Sequence, residues 1–133
     1  MQGGSEMKRI TTVLAAAALL LAVSVPAVLA ADGTRVPLKP AKAFPAAKGS
    51  AKFKAKGNER ELEAEVQHVR RLAGRRVVFY VAGKKLGVAK VTRLGAAHLN
   101  RNTERGQSVP NVSAGTAVKV RTTSGILIVS GSF

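Results

Sequence analysis

The chain has 133 residues, enough for one domain, and carries 22 Lys and Arg residues against 7 Asp and Glu. It contains no Cys, no Trp, one Tyr and four Phe. The lack of Cys excludes a disulfide framework, a thiolate metal site and a Cys nucleophile. The small number of aromatic rings argues against stacking of single-stranded nucleic acid on this surface.

The first thirty residues have the organisation of a secretory signal peptide. The basic segment Met7-Lys8-Arg9 precedes an apolar run from Val13 to Val23, and Val28-Leu29-Ala30 supplies small or branched residues at −3 and −1. We therefore predict cleavage after Ala30 and a secreted or periplasmic location in a bacterium. A retained transmembrane anchor is the alternative, since residues 10–31 carry no charge and are long enough to span.

The six residues before Met7 add nothing to such a signal. Codons for Gln2-Gly3-Gly4 are compatible with a purine-rich ribosome-binding sequence, so we interpret Met7 as the true start of a bacterial gene. Cleavage would remove Glu6, Lys8 and Arg9 but no other charged residue, which leaves a strongly basic mature chain.

Residues 31–48 are rich in Ala, Pro and Lys. Such a composition buries little apolar surface to offset the entropy lost on ordering, so it predicts a disordered basic linker. The folded domain is then expected to cover residues 49–133.

The domain begins with a pattern that is typical of a β-hairpin. Apolar and charged residues alternate on both sides of Gly57-Asn58, which has the length and composition of a two-residue hairpin loop. One register places opposite charges on one face and apolar residues on the other. Its predicted pairs are Lys56–Glu59, Lys54–Glu61 and Lys52–Glu63 outside, with Phe53–Leu62 and Ala51–Ala64 inside.

Two further hairpins and a short strand follow. The first turns at Ala82-Gly83 and is predicted to pair Phe79 with Leu86 and Val77 with Val88, and a short strand covers Ala96 to Leu99. The second turns at Ser124-Gly125 and is predicted to pair Val120 with Val129 and Thr122 with Leu127.

These elements amount to about seven strands, with at most one helical turn between Gln67 and Arg76. The sequence therefore predicts an all-β fold, a small antiparallel β-sandwich or partly open barrel.

The last strand is apolar on both faces, with Ile126 and Ile128 pointing one way and Leu127 and Val129 the other. This pattern favours a central strand covered on both sides. The alternative is an exposed surface, Ile126–Phe133, through which the chain binds a protein partner or assembles with itself.

Six segments carry a further pattern: Leu62–Val66, Leu72–Gly74, Val81–Gly87, Gly106–Pro110, Val120–Gly125 and Ser130–Phe133. Together they resemble a family of small secreted bacterial β-domains for which no biochemical activity is known. The resemblance covers residues 49–133 and implies a shared fold, with no catalytic residues to carry over. Relatives often have Asn where this chain has Ala82, before the turn glycine.

The sequence offers little for catalysis, so we expect neither an enzyme nor a metal or cofactor site. The glutamates of residues 59–65 share one outer strand face, whereas acid–base catalysis needs carboxyl groups that converge in a cleft. His68 and His98 are the only imidazoles, and their spacing matches no metal motif. A hydrolase with an unrecognised site is the alternative, and loss of activity on changing His98 or Glu104 would support it.

The loop Thr103–Thr116 is interpreted as a crossing connection pinned by Val109 and Val112 rather than a binding loop.

The remaining signal is positive charge, which predicts salt-dependent binding to polyanions outside the cytoplasm, such as acidic polysaccharide, lipopolysaccharide, anionic lipid or extracellular DNA. Sequence-specific nucleic-acid recognition is not expected, because no recognition helix is present. The alternative is that the basicity serves no ligand. The candidate polyanion-binding residues are Arg70, Arg71, Arg75, Arg76, Lys84, Lys85, Lys119 and Arg121.

Overall fold

A computed structural model describes residues 33–133, and the predicted signal peptide and start site lie outside that range. The described chain is all-β, which confirms the predicted fold class. Two short 3-10 turns, Arg70–Leu72 and Thr103–Arg105, are its only helical elements. Residues 33–133 form eight strands rather than seven: β1 (Thr34–Pro40), β2 (Lys48–Lys56), β3 (Glu59–Gln67), β4 (Arg76–Val81), β5 (Lys84–Lys90), β6 (Ala97–Asn102), β7 (Ala117–Thr122) and β8 (Leu127–Ser132).

The strands form one nearly closed, barrel-like sheet in the order β5-β4-β7-β8-β1-β2-β3-β6. The edge strands β5 and β6 meet through side chains instead of a backbone ladder. Arg101 on β6 donates from Nη2 and Nε to the Leu86 carbonyl of β5, at 2.6 and 3.1 Å. Gly87 leaves room for Leu99, since a Cβ at position 87 would lie 3.0 Å from Leu99 Cδ2. We call this junction between β5 and β6 the seam. It is closed by side-chain packing and by one arginine.

The predicted disordered linker is wrong for the described part of residues 31–48. Thr34–Pro40 form β1, which pairs with β2 along most of its length and with β8 at Lys39 and Pro40. Leu38, Phe44 and Ala47 are buried in the core. The overall composition of the segment concealed these few apolar side chains, whose burial offsets the entropy of ordering a short stretch.

The β2–β3 hairpin has the predicted register at every pair, from Lys56–Glu59 to Ala51–Ala64. Gly57 has a φ of 60°, which a II′ hairpin turn requires at its first central position. Among the described residues, one ion pair lies within 4.0 Å, between Lys54 Nζ and Glu61 Oε1 at 3.9 Å.

The β4–β5 hairpin confirms the turn position but not the predicted pairs. A bulge between Phe79 and Tyr80 shifts the register, so that Phe79 lies opposite Gly87 and Val77 opposite Ala89. The shift leaves Leu86 as an extra residue, which is 7% exposed and belongs to the core. Ala82 adopts a φ of 54° and Gly83 a φ of 79°, so Ala occupies a left-handed position at the turn.

The β7–β8 hairpin confirms the Val120–Val129 pair, whereas Arg121 rather than Thr122 lies opposite Leu127. Here too a bulge changes the register, and it allows the neighbouring residues Ile128 and Val129 both to be fully buried. Strand β8 lies between β7 and β1. The strand is therefore central in the sheet, as predicted, but it is not covered on both faces: Leu127 is only partly buried, and Ile126 precedes the strand and is 50% exposed.

The connections hold the ends of the sheet in place. Val109 and Val112 of the long loop are buried, as predicted, and Arg60 Nε donates to the Val109 carbonyl at 3.1 Å. The segment between β3 and β4 contains a single 3-10 turn, also as predicted. Residues 33–133 contain no helix of the length and apolar character needed to cross a membrane.

Candidate functional site

The outer surface of β1, β2, β3 and β6 carries charges of both signs, and we call it the balanced face. Inter-strand pairing places the β3 glutamates between the lysines of β2 and the polar residues of β6. Its outward side chains are Arg35, Lys52, Lys54, Glu61, Glu63, Glu65, His98, Asn100 and Asn102.

The carboxylates of the balanced face have local polar partners. Asn100 Nδ2 donates to Glu61 Oε2 at 2.8 Å and to Glu63 Oε2 at 3.2 Å. Gln67 Nε2 donates to Glu65 Oε2 at 2.8 Å. These glutamates form a solvent-facing row on one strand. Within residues 33–133, no group of three or more His, Asp or Glu side chains is placed to hold a metal ion.

The outer surface of β5, β4, β7, β8 and β1 is different, and we call it the basic face. Pairing across the five strands aligns one row of residues, Lys85–Tyr80–Lys119–Ser130–Lys39. Lys85 and Lys119 are two strands apart, and so are Lys119 and Lys39. Each of these two separations corresponds to about 10 Å. The row therefore presents three exposed ammonium groups at regular intervals across the sheet.

Two shorter rows lie beside it. Val88, Val78, Arg121 and Leu127 form one, and Lys90 with Arg76 forms the other. Val78 is only 7% exposed although it belongs to an outward row, so its neighbours on the outer surface cover it. Arg121 Nη1 donates to the Gly125 carbonyl at 3.1 Å, which orients this guanidinium along the face.

No acidic residue occurs on β1, β4, β5, β7 or β8. The five carboxylates of residues 33–133 lie on β3 or at Glu104 in the long loop. Because unpaired like charges add their potentials, the basic face has a positive field that no neighbouring carboxylate on these strands opposes.

A depression of about 370 Å³ lies on the basic face, lined by Tyr80, Gly83, Ala117, Lys119 and Arg121. It combines an aromatic ring with two cations, a set that can contact a sugar ring or a base and an anionic substituent together. A larger, shallower depression of about 650 Å³ lies beside the Gly57-Asn58 turn, where Glu59 and Glu104 accompany Lys56. Its mixture of signs makes it a weaker site for a polyanion.

The structure separates the predicted polyanion-binding residues into groups. Arg76, Lys85, Lys119 and Arg121 lie on the basic face. Arg70, Arg71 and Arg75 lie in the connection before β4, and Lys84 lies at the opposite end of that strand, beyond its last residue. Six residues of extended chain separate the two ends by about 20 Å, so these residues do not form one cluster.

Arg71, in the connection before β4, has a structural contact. The guanidinium of Arg71 lies 4.2 Å from the centre of the Phe44 ring and donates to the Ala43 carbonyl. Arg71 thus fastens the β1–β2 connection to the 3-10 turn.

Sequence reasoning missed Lys39, Tyr80 and Lys90. Lys90 was detectable, because it follows the same strand alternation as Lys85 once the bulge is included. Lys39 was missed because its segment was interpreted as a linker. Tyr80 gains its place only from the pairing of β4 with β7. The chain matches no protein-family model and no curated protein, so the site rests on its own geometry.

Proposed function

We propose that the protein is a secreted, non-enzymatic bacterial binding module that attaches to anionic polymers of the cell envelope or extracellular matrix. The basic face provides the binding surface. The observation that carries the proposal is the segregation of charge: of five neighbouring strands, four carry cations and none carries a carboxylate. A basic protein whose charge served only its solubility would not require its carboxylates to be confined to one face and absent from the other.

The shape of the face favours a linear, flexible polyanion. The row from Lys85 to Lys39 crosses five of the eight strands of a strongly curved sheet. A chain molecule can follow that curve and meet ammonium groups about every 10 Å, whereas a flat surface touches only part of it. Tyr80 lies between Lys85 and Lys119 in the row, where a sugar ring can pack against the phenol.

The proposal predicts non-specific, salt-dependent affinity. Each phosphate or sulfate contact displaces a counterion, so about four contacts would weaken DNA binding by about a hundredfold between roughly 50 and 200 mM salt. A neutral glucan lacks the charges that drive this effect and is expected not to bind.

The test compares binding of the purified protein to a sulfated polysaccharide, to duplex DNA and to a neutral glucan at these two salt concentrations. Binding to both polyanions that decreases steeply with salt supports the proposal. Failure to bind either polyanion at the lower concentration contradicts it, as does equal binding to the neutral glucan.

A further inference from the structure

One end of the barrel-like sheet has a surface chemistry that the basic face does not explain. We call it the loop end, and it consists of residues 41–47, 68–75, 91–96 and 123–126. These connections follow β1, β3, β5 and β7 and therefore lie at the same end of the antiparallel sheet. None of them contains an acidic residue.

Two large apolar side chains project from the loop end. Leu94 is 74% exposed and Ile126 is 50% exposed. Among residues 33–133, the third exposed large apolar residue is Val88, which is 37% exposed and lies within the basic face. We call the turns that carry Leu94 and Ile126 the two tips. Because β4 separates the ends of β5 and β7, the tips begin about 10 Å apart.

The two tips are held by hydrogen bonds. The Leu94 turn is closed by Gly95 N to Thr92 O at 2.9 Å and Thr92 N to Ala96 O at 2.8 Å. A hydrogen bond from Val69 N–H to the Gly95 carbonyl, at 3.0 Å, fixes this turn to the segment after β3. The approach is close, since a Cβ added at Gly95 would lie 2.6 Å from Arg70 N. Leu94 is thus presented on an ordered turn.

Ile126 has a similar support. Its N–H donates to Thr122 Oγ1 at 3.0 Å, and its carbonyl accepts from Thr122 N at 2.8 Å. An apolar side chain held out from an ordered turn loses little further entropy when it enters an apolar phase.

The end of the sheet that carries both tips is rich in cations. The loops contribute Lys42, Arg70, Arg71, Arg75 and Arg93, and the adjoining strand ends contribute Lys48, Arg76 and Lys90. This combination of a few projecting apolar residues with a basic surround is typical of surfaces that lie in the interface of an anionic membrane.

Other ligands fit this combination less well. A hydrated polysaccharide or nucleic acid offers the cations a partner but gives Leu94 and Ile126 no apolar phase. A protein interface usually has a continuous apolar centre depleted of lysine, whereas these two side chains stand apart among basic residues. We therefore propose that the loop end docks on an anionic lipid bilayer, with Leu94 and Ile126 entering the boundary between headgroups and acyl chains. This goes beyond polymer binding and uses the loop end, which shares only Arg76 and Lys90 with the basic face.

The absence of Trp from the sequence permits a clean test. Single Leu94→Trp, Ile126→Trp and Val88→Trp variants of the full protein are mixed with vesicles of phosphatidylcholine alone or with added phosphatidylglycerol. We expect emission from positions 94 and 126 to shift to shorter wavelength with the anionic vesicles only, while emission from position 88 stays unchanged. Unshifted emission at 94 and 126, or an equal shift at all three positions, overturns the proposal.

A second measurement separates insertion from adsorption by charge alone. Leu94→Ser with Ile126→Ser is expected to reduce co-sedimentation with anionic vesicles at least about tenfold, at unchanged net charge. Val88→Ser is the matched control and should bind vesicles like the unaltered protein. Vesicle binding by the double variant equal to that of the unaltered protein would contradict insertion.

The same double variant is also tested with the soluble sulfated polysaccharide, to which it should bind normally. Because polysaccharide binding tests the basic face and vesicle binding tests the loop end, failure of one proposal is distinguishable from failure of the other. A thermal unfolding curve like that of the unaltered protein shows that the tips, and not the fold, were changed.

Discussion

The balanced face and the basic face belong to one continuous sheet, yet their cations have different surroundings. On the balanced face, Lys54 lies 3.9 Å from Glu61, and Asn100 donates to two carboxylates. On the basic face, the neighbours of Lys119 in its row are Tyr80 and Ser130, which do not neutralise it. The net charge of the chain is therefore a poor guide to its field, because position relative to carboxylates decides which cations reach a ligand.

The comparison also separates cations that hold the fold from those that are free to bind. Arg101 closes the seam through the Leu86 carbonyl, and Arg71 contacts Phe44 and Ala43. Within the described chain, the side chains of Lys39, Lys85 and Lys119 make no such hydrogen bond or ion pair. We expect variants of these two groups to change different properties, namely stability for the first and binding for the second.

The largest expected effect comes from removing the lysine row. Lys39→Gln, Lys85→Gln and Lys119→Gln together should weaken polyanion binding about a hundredfold at low salt, since each cation beside an anionic surface contributes about 1 kcal/mol. The slope of log affinity against log salt should fall by about 3. Titration of labelled duplex DNA at several salt concentrations measures both.

The matched control carries the same change of net charge. Lys52→Gln, Lys54→Gln and Lys56→Gln remove three lysines that lie opposite glutamates on β3. We expect their effect on affinity to be at least about ten times smaller, because nearby carboxylates already oppose their field. Equal losses for the two triple variants would mean that only net charge matters and that the two faces do not differ in binding.

The seam gives the next largest effect. Arg101→Met keeps an apolar side chain of similar length but removes both donors to the Leu86 carbonyl, so it should lower the free energy of unfolding by about 2 kcal/mol. Arg105→Met is the control, because Arg105 is exposed and donates only to Asn100 Oδ1 among the described residues. Urea denaturation of both variants tests this, and equal midpoints would show that the arginine does not hold the seam.

The two hairpins show which features the sequence could predict. Alternating charges on β2 and β3 allow one good register, and that register is observed at every pair. The β4–β5 hairpin has apolar residues that fit two registers almost equally, and the bulge that buries Leu86 decides between them. That choice depends on contacts with the rest of the core, which a local pattern does not contain.

The candidate site was predictable to a similar extent. Arg76, Lys85, Lys119 and Arg121 were identified from charge alone, but their common face depends on the pairing of β4 with β7, across a long connection. Strand β1 was missed because its apolar residues are few and its Pro and Lys content resembles a linker. Lys39 and the length of the row followed only once β1 was placed beside β8.

A smaller effect separates two arginines of the same connection. Arg71→Ala should lower the free energy of unfolding by about 1 kcal/mol, because it removes the contact with Phe44 and the hydrogen bond to Ala43. Arg75→Ala, which removes the same charge, should change stability by no more than about 0.5 kcal/mol. Thermal unfolding of both variants measures the difference, and a larger loss for Arg75→Ala would contradict the assignment.

The smallest expected effect concerns the turns of the two hairpins. Ala82→Gly should stabilise the protein by about 0.5 kcal/mol, since glycine relieves a left-handed φ of 54° while adding some entropy to the unfolded chain. Gly57→Ala places the opposite change in the other hairpin, at a φ of 60° where a Cβ would meet no atom within 4 Å. It should therefore destabilise the protein by about 1 kcal/mol through the backbone alone. Urea midpoints that move in opposite directions would show that the β4–β5 turn keeps a backbone strain that the β2–β3 turn avoids. A loss of stability in Ala82→Gly would show that the backbone at Ala82 is not strained.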